Sequence, residues 1–119
     1  MGFKHIGGMI LKYISYGDFS KIDIRIGRVL RAERIPGKTR ILKLLVDVGE
    51  DKPRTIVAGG AEYYPPEYFE GKLFVVVVNL EPKVIGGVKS EGMLLAADLN
   101  GKPVWLTVDG EVPPGTKVR

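Results

Sequence analysis

The side chains best suited to chemistry in this sequence lie in one predicted loop, residues 79–92, and they donate hydrogen bonds and positive charge. The loop carries an amide, two ammonium groups and a hydroxyl, on Asn79, Lys83, Lys89 and Ser90. None of them is accompanied by the base that a nucleophile or a general acid would need. Such a set of donors is typical of a surface that binds a polyanion, so the loop favours a binding module over an enzyme.

Several kinds of catalytic and metal site are excluded by the residues that the chain contains. It has no cysteine, which excludes thiolate nucleophiles and cysteine-based metal sites, and its one histidine, His5, lies near the start. Residues 86–90 resemble a phosphate-binding loop in composition, but Val88 stands where that motif needs a glycine directly before its lysine. We therefore expect no catalytic residue, no metal site and no cofactor.

Positive charge is concentrated in the first part of the chain. Residues 21–43 contain eight Lys or Arg and two acidic residues, whereas residues 44–70 contain two basic and six acidic residues. This asymmetry indicates an anionic partner. A well-solvated charged surface without a partner is the alternative interpretation.

No segment predicts secretion or insertion into a membrane. The longest apolar run, Leu73–Val78, is far too short to span a bilayer, and no apolar signal region follows Lys4. The lack of cysteine gives no sign of an oxidising compartment. We expect a soluble cytoplasmic protein.

The pattern of apolar residues predicts one small all-β domain over residues 13–119. Residues 42–48 alternate with the period of two that is typical of a half-buried strand, and residues 73–78 are apolar throughout, as in a strand buried on both faces. A short helix is predicted to start at Pro65–Pro66 and to end before Gly71. The predicted strands are 22–30, 42–48, 55–57, 73–78, 93–99 and 104–108.

Local features refine this prediction at the ends and turns of the elements. Asp18 is expected to cap a short turn, and Asn100–Gly101 is expected to form a hairpin turn. Gly27 interrupts the alternation of the first strand, which predicts a bulge or a bend there. Residues 1–12 are predicted to form a loosely ordered extension, helped by Gly2, Gly7 and Gly8.

The order of the elements predicts a particular barrel. Three strands, a helix and two more strands fit a five-stranded Greek-key barrel of the OB type, with a short helix between strands three and four and extra C-terminal strands. Ligands of this fold lie over strands two and three, between the loops that join strands one to two and four to five. In this chain those loops are 34–40 and 79–92, and both contain basic residues.

Several segments carry a family resemblance that covers nearly all of the chain from residue 18 onward. They are DFSKIDIRIG (18–27), AERIPG (32–37), KLLVDVGE (43–50), RTIVAG (54–59), YPPEYFEGK (64–72), VVVVNLEP (75–82) and GVKSEGMLLAA (87–97). Together they resemble the tRNA-binding OB domain that is attached to many methionyl-tRNA synthetases and also occurs as a free-standing protein, including the synthetase β subunit. The chain departs from the family at Ala58–Gly60, where Ser-Gly-Ile is frequent, and at Gly86, where a bulky or basic residue is frequent.

The resemblance implies which residues contact tRNA. The residues that it places on an RNA-facing groove are Asn79, Lys89, Ser90 and Met93. It places Arg40 and Lys43 near phosphates at the first loop, and Arg25 and Arg54 also match family positions. With the loop lysines added, the predicted site is Arg25, Lys38, Arg40, Lys43, Arg54, Asn79, Lys83, Lys89, Ser90 and Met93. Alternative roles remain open for some residues. Arg25 and Arg54 could anchor strands through Asp23 or Asp47, Met93 could pack in the core, and the helix tyrosines Tyr63, Tyr64 and Tyr68 are expected to pack rather than to stack on bases.

The implied function is a non-catalytic tRNA-binding protein that acts in trans with methionyl-tRNA synthetase and holds tRNA by its backbone and shape. Free-standing relatives are dimers, so the resemblance also implies a homodimer, with Val104–Val108 and its Trp105 as the expected apolar contact. One alternative is a chaperone that assists export and binds extended peptides, since a bacterial branch of the fold is described in this way. Another is a structural subunit that docks a synthetase and touches no RNA.

Overall fold

The computed structural model describes residues 3–6 and 9–119, with side chains described from residue 12 onward. The predictions for Gly2, Gly7 and Gly8 therefore lie outside the described residues. The two helices of the described part are α1 (Tyr16–Phe19) and α2 (Pro66–Phe69), and neither is long or apolar enough to cross a membrane. The strands are β1 (Phe3–Ile6), β2 (Met9–Lys12), β3 (Ile24–Arg34), β4 (Ile41–Asp47), β5 (Arg54–Gly59), β6 (Leu73–Val77), β7 (Lys83–Ile85), β8 (Val88–Ser90), β9 (Met93–Leu94), β10 (Ala96–Leu99), β11 (Lys102–Trp105) and β12 (Lys117–Val118).

The main sheet has the strand order β5-β4-β3-β6-β9, and it curls into a nearly closed barrel. The long strand β3 pairs with β6 through Ile24–Arg28 and with β4 through Arg28–Arg34, so it turns the corner of the barrel. The sheet edges approach where the amide of Glu91, just before β9, donates to the carbonyl of Thr55 in β5 at 2.8 Å. The predicted all-β OB-type barrel, with its helix between the third and fourth barrel strands, is confirmed.

The barrel interior is filled by the alternate side chains of its strands. Leu42, Leu44 and Val46 of β4 are fully buried, and every residue of β6 is buried, as the unbroken apolar run predicts. Phe69 of α2 is also fully buried, and its ring lies 5.5 Å from that of Trp105. Trp105 therefore packs on the core, which leaves Val104 and Leu106 as the exposed apolar side chains of the predicted dimer contact.

The irregularity of β3 lies at Leu30 rather than at Gly27. The pairing with β4 skips one residue between Val29 and Arg31, whereas Gly27 pairs in register with Phe74. A Cβ atom at residue 27 would lie 2.7 Å from Cγ1 of Val46, so glycine is required here by close packing of the interior. The bulge therefore lies three residues beyond the predicted position, and the alternative prediction of a bend at Gly27 stays a prediction.

The segments around the barrel differ from the prediction in detail. Ser15, not Asp18, caps α1, since the amide of Asp18 donates to its Oγ at 3.0 Å. The predicted fifth strand is split into β9 and β10, and β10 pairs with β11 across the predicted Asn100–Gly101 turn. β1 and β2 pair with each other, and the loose attachment of residues 1–12 stays a prediction.

The C-terminal segment covers the outer face of β3 and β6. β12 pairs with the start of β3, with Lys117 opposite Arg25. Val108, Val112 and Val118 pack against the outward side chains of those strands, which include Ile26. The segment therefore lies against a different side of the barrel from the outer face of β4 and β5, where the fold places its ligand.

Candidate nucleic-acid interface

Two loops with basic residues meet at one end of the barrel. The segment 35–40 leads into β4, and the predicted loop 79–92 contains the hairpin β7–β8, which the sequence analysis missed. The turn of this hairpin is Gly86–Gly87, with φ of +59° and +81°. A Cβ atom at Gly86 would lie 2.5 Å from Cδ1 of Ile41 and 3.6 Å from Cε of Lys38, so the hairpin turn rests on the start of β4. The family departure at Gly86 thus coincides with a position where a side chain would displace the end of the Ile41 side chain.

These two loops carry four cations, and we call them the basic rim: Lys38, Arg40, Lys83 and Lys89. All four are exposed, and the side chain of Arg40 is 85% exposed. Lys83 pairs with Ser90 and Lys89 with Val84, so the two lysines point to opposite faces of the hairpin. The Nε of Arg40 lies 3.7 Å from a carboxylate oxygen of Glu62, which is too long for a strong ion pair.

Lys43 extends this charge onto the outer face of β4. Its Nζ lies 3.6 Å from Oε1 of Glu33, and Arg31 donates to Oε2 of the same carboxylate at 3.1 Å. Leu45 and Thr55 complete a shallow groove of about 160 Å³ beside these groups. Arg31 was not among the predicted site residues, although its spacing of two from Glu33 on β3 places both on this face.

Ser90 lies on the barrel side of the hairpin and is buried. Its Oγ accepts a hydrogen bond from the amide of Val57 at 3.0 Å and donates to the carbonyl of Gly92 at 3.1 Å. The hydroxyl thus fastens the hairpin to β5. Any contact of this residue with RNA stays a prediction that the buried position disfavours.

Replacing Ser90 by alanine is expected to lower the free energy of unfolding by roughly 1–3 kcal/mol, because two half-buried backbone groups lose their partner. Chemical denaturation of both proteins measures this difference. At temperatures where S90A is folded, its affinity for tRNA should match that of the unaltered chain. A variant of unchanged stability that binds tRNA more weakly would return Ser90 to the RNA contact surface.

Arg25 and Arg54 lie at the opposite end of the barrel and are held by carboxylates. Arg25 donates through two nitrogens to Asp23 at 3.0 and 2.9 Å, and Arg54 donates to Glu50 at 2.7 and 2.8 Å. Arg54 also donates to the carbonyls of Val78 and Glu91. The sequence alternative that these arginines anchor strands describes their contacts, with Glu50 as a partner that the sequence analysis did not name.

The same contacts shift the ionisation of the four groups. The hydrogen bond from Arg25 lowers the pKa of Asp23, and the hydrogen bond from Arg54 lowers the pKa of Glu50. The pKa of each arginine is raised by its carboxylate partner. Each pair therefore stabilises the fold while its carboxylate is charged.

Acid is expected to remove this stabilisation. Because the folded pKa of Asp23 and Glu50 is below the ordinary values of 3.8 and 4.5, the contribution is complete above those values and is lost as the pH falls through the lowered ones. Unfolding free energies measured from pH 7 to pH 2 should fall more steeply for the unaltered chain than for E50Q, which lacks one titrating carboxylate. Identical slopes for the two proteins would contradict this assignment.

Asn79 and Met93 also lie towards this second end. The side-chain oxygen of Asn79 accepts from the amide of Asp23 at 2.8 Å, and its Nδ2 donates to the carbonyl of Lys21 at 2.6 Å. Met93 pairs with Val77 and is 46% exposed, so its side chain is not part of the core. The structure therefore brings together the basic rim and Lys43, and it places Arg25, Arg54, Asn79 and Met93 elsewhere. Their contacts with RNA stay predictions.

The tyrosines near α2 divide into two groups. Tyr64 and Tyr68 pack against the core, with ring centroids 4.6 Å apart, as expected for helix packing. Tyr63 is 50% exposed. Among the residues that the structure describes, no three histidine or acidic side chains are grouped so that they could hold a metal ion.

Comparison with known proteins identifies relatives of this barrel. The family model described as “Putative tRNA binding domain” matches residues 24–117. A methionine–tRNA ligase of Archaeoglobus fulgidus is 54% identical over 105 residues, which are 88% of this chain and 16% of the ligase. The chain thus spans about a sixth of the length of that curated relative.

Two solved structures are similar over almost the whole chain. A MetRS related protein from Pyrococcus horikoshii has a TM-score of 0.85 and 42% identity, and covers 92% of this chain and 100% of that protein. The chaperone CsaA from Bacillus anthracis has a TM-score of 0.81 and 35% identity, with 91% and 100% covered. The fold thus occurs both within long ligases and in chains of about this size.

Proposed function

The chain belongs to the tRNA-binding domain family that methionine–tRNA ligases share, and from this premise we propose that it binds tRNA through the basic rim and Lys43. It acts in trans with a methionyl-tRNA synthetase and holds the RNA by its backbone and shape. The domain is a binding module of a non-catalytic kind, and we propose that the protein has no active site of its own and works in the cytoplasm.

The observation that supports this proposal is the difference between two pairs of predicted site residues, Arg25 and Arg54 at one end of the barrel and Arg40 and Lys43 towards the other. Arg25 and Arg54 each hold a carboxylate through two hydrogen bonds of 2.7–3.0 Å. Arg40 and Lys43 lie 3.7 and 3.6 Å from their nearest carboxylates and keep much of their surface in solvent. Cations that are weakly paired and exposed can exchange their counterions for phosphates at little cost, so the rim end is where a polyanion binds.

We further propose that the protein acts as a homodimer. The segment before β3 exposes a group of large apolar side chains that a second copy would cover: Tyr13, Ile14, Tyr16, Phe19 and Ile22. Three of them, Tyr16, Phe19 and Ile22, line one groove, and large exposed apolar patches are unusual on a monomer. Analytical ultracentrifugation of the unaltered chain and of an F19S/I22S variant tests this. A monomer in both proteins would exclude the dimer.

The second candidate function is that of a chaperone for extended peptides. Two observations favour it: the similarity to CsaA, which is described as a chaperone, and the same exposed apolar segment. Peptide binding by apolar contact would depend weakly on salt, whereas tRNA binding should weaken steeply.

One set of binding measurements separates these functions. Total tRNA and an unfolded peptide are titrated with the protein at two salt concentrations, with and without a methionyl-tRNA synthetase. The proposal requires tRNA binding that weakens as salt rises and a complex that contains the synthetase. Peptide binding without tRNA binding would favour the chaperone, and synthetase binding without tRNA binding would favour a structural subunit.

A further inference from the structure

The turn between β5 and α2 places an exposed aromatic ring beside the basic rim. The amides of Tyr63 and Tyr64 donate to the carbonyl of Gly60 at 2.9 and 3.0 Å, which fixes a tight turn at the rim end of β5. Tyr64 then turns inward, where its hydroxyl donates to the carbonyl of Pro103 at 2.7 Å. The ring of Tyr63 keeps half its surface in solvent. The two adjacent tyrosines thus have different environments.

Cations lie on both sides of this turn. On one side, the amide of Ala61 donates to the carbonyl of Arg40 at 3.2 Å, and the Arg40 side chain reaches Glu62. On the other side, the ammonium of Lys102 lies 5.7 Å from the centre of the Tyr63 ring. Lys102 is held there by the β10–β11 hairpin, whose Pro103 packs against Gly60: a Cβ on this glycine would lie 2.7 Å from the proline Cγ. The turn and the two backbone segments that carry these cations therefore have fixed relative positions.

We propose that Tyr63, Lys102 and Arg40 form a stacking site for one unpaired nucleotide of the bound RNA. A half-exposed ring offers a face to a base, and stacking of this kind needs a base that is not buried in a duplex. The two cations are placed for the phosphates on either side of that nucleotide. This inference rests on the proposed function, and it extends the interface from the β4–β5 face across the rim to the β10–β11 hairpin.

The sequence does not distinguish Tyr63 from Tyr64 and Tyr68, since all three are predicted to pack rather than to stack on bases. Their packing would be a sufficient reason for all three. In the structure Tyr64 and Tyr68 pack on the core, whereas Tyr63 does not. This difference assigns the Tyr63 ring a role outside the fold. Replacing it should therefore leave the core intact.

The test compares three RNA ligands: total tRNA, a single-stranded oligoribonucleotide, and a blunt duplex of the same length. Each is titrated with the unaltered chain and with Y63A, Y63F and K102A, whose thermal unfolding is measured in parallel. We expect Y63A to bind the single strand about tenfold more weakly, because one stacked base contributes about 1–3 kcal/mol. Y63F should bind like the unaltered chain, since it retains the ring, and the duplex should bind Y63A and the unaltered chain equally.

The outcomes distinguish this inference from the function on which it rests. If the unaltered chain binds tRNA but Y63A binds the single strand equally well, or loses single strand and duplex alike, the stacking site is refuted and tRNA binding stands. If Y63A impairs the binding of an unfolded peptide while RNA binding is unchanged, the ring serves a polypeptide and the inference is wrong. If the unaltered chain binds none of the RNAs, both proposals fail.

Discussion

A variant that carries alanine in place of Lys38, Arg40 and Lys89 is expected to bind tRNA roughly 100-fold more weakly than the unaltered chain at about 0.1 M salt. Each side chain is exposed at the rim end of the barrel, so each can reach a phosphate without breaking a strong internal ion pair. A charge-assisted contact of this kind contributes about 1 kcal/mol or more, and three of them give the expected loss. Filter binding or fluorescence anisotropy with labelled tRNA measures the change.

The salt dependence gives a second and more specific readout. Each phosphate contact contributes roughly 0.7–0.9 to the slope of log affinity against log salt concentration, so the triple variant should lose about 2–3 from that slope. The matched control is K21A/K52A/K117A, which removes the same charge from exposed positions near the opposite end of the barrel. Its affinity should change much less. Equal losses in the two triple variants would mean that net charge, and not the basic rim, determines binding.

The barrel could be predicted because the pattern of apolar side chains along each strand matches which of its faces are buried. In β4 the inward residues Leu42, Leu44 and Val46 alternate with half-buried ones, and in β6 all residues are apolar because the C-terminal segment covers the outer face while the core covers the inner one. The helix boundary was readable from Pro65–Pro66 and Gly71, whose preferences are local. Local rules and burial thus agree over most of the chain.

The predictions that differ from the structure concern positions whose environment is determined by a segment distant in sequence. The break in the apolar pattern at Gly27 indicates a bulge or a bend, but the glycine is required by its contact with Val46. This residue is nineteen positions away in sequence, and sequence spacing alone does not show that the two lie close together. The sequence predicts a ligand-binding hydroxyl at Ser90, whereas in the structure this hydroxyl accepts from the amide of Val57 and donates to the carbonyl of Gly92. The register that brings β8 beside β5 is a tertiary property.

The same reasoning explains which part of the site was predictable. Loop positions followed from the fold, so the two loops that carry Lys38, Arg40, Lys83 and Lys89 could be predicted, while the contacts of these residues with RNA stay predictions. Whether each cation is held by a carboxylate did not follow in the same way. The residues of a strand alone do not show whether an arginine faces a carboxylate or solvent. Arg25 and Arg54 differ from Arg40 through their carboxylate partners, Asp23 and Glu50, which stand two and four residues earlier in the chain. The carbonyls of Val78 and Glu91, which also accept from Arg54, come from distant segments.

The fastening of the C-terminal segment depends on two glycines that touch. Gly49 follows β4 in a left-handed conformation, with φ of +81°, and a Cβ atom there would lie 2.8 Å from both Cα of Gly115 and the carbonyl oxygen of Pro114. The contact is between backbones, so no side-chain rotation relieves it. It adjoins two hydrogen bonds between Ile26 and the segment. The amide of Gly115 donates to the carbonyl of Ile26, and the amide of Ile26 donates to the carbonyl of Thr116, both at 2.8 Å.

Replacing Gly49 by alanine is therefore expected to lower the free energy of unfolding by roughly 3 kcal/mol, from about 1 kcal/mol of left-handed strain and about 2 kcal/mol of overlap. Gly71→Ala is the matched control, because Gly71 has φ of +82° and a Cβ atom there would meet nothing within 4 Å. It should cost only the strain. Denaturant unfolding of both variants isolates the contact, and hydrogen exchange should show faster exchange of the Ile26 and Gly115 amides in G49A alone. Equal destabilisation by the two substitutions would mean that the segment is not held at this crossing.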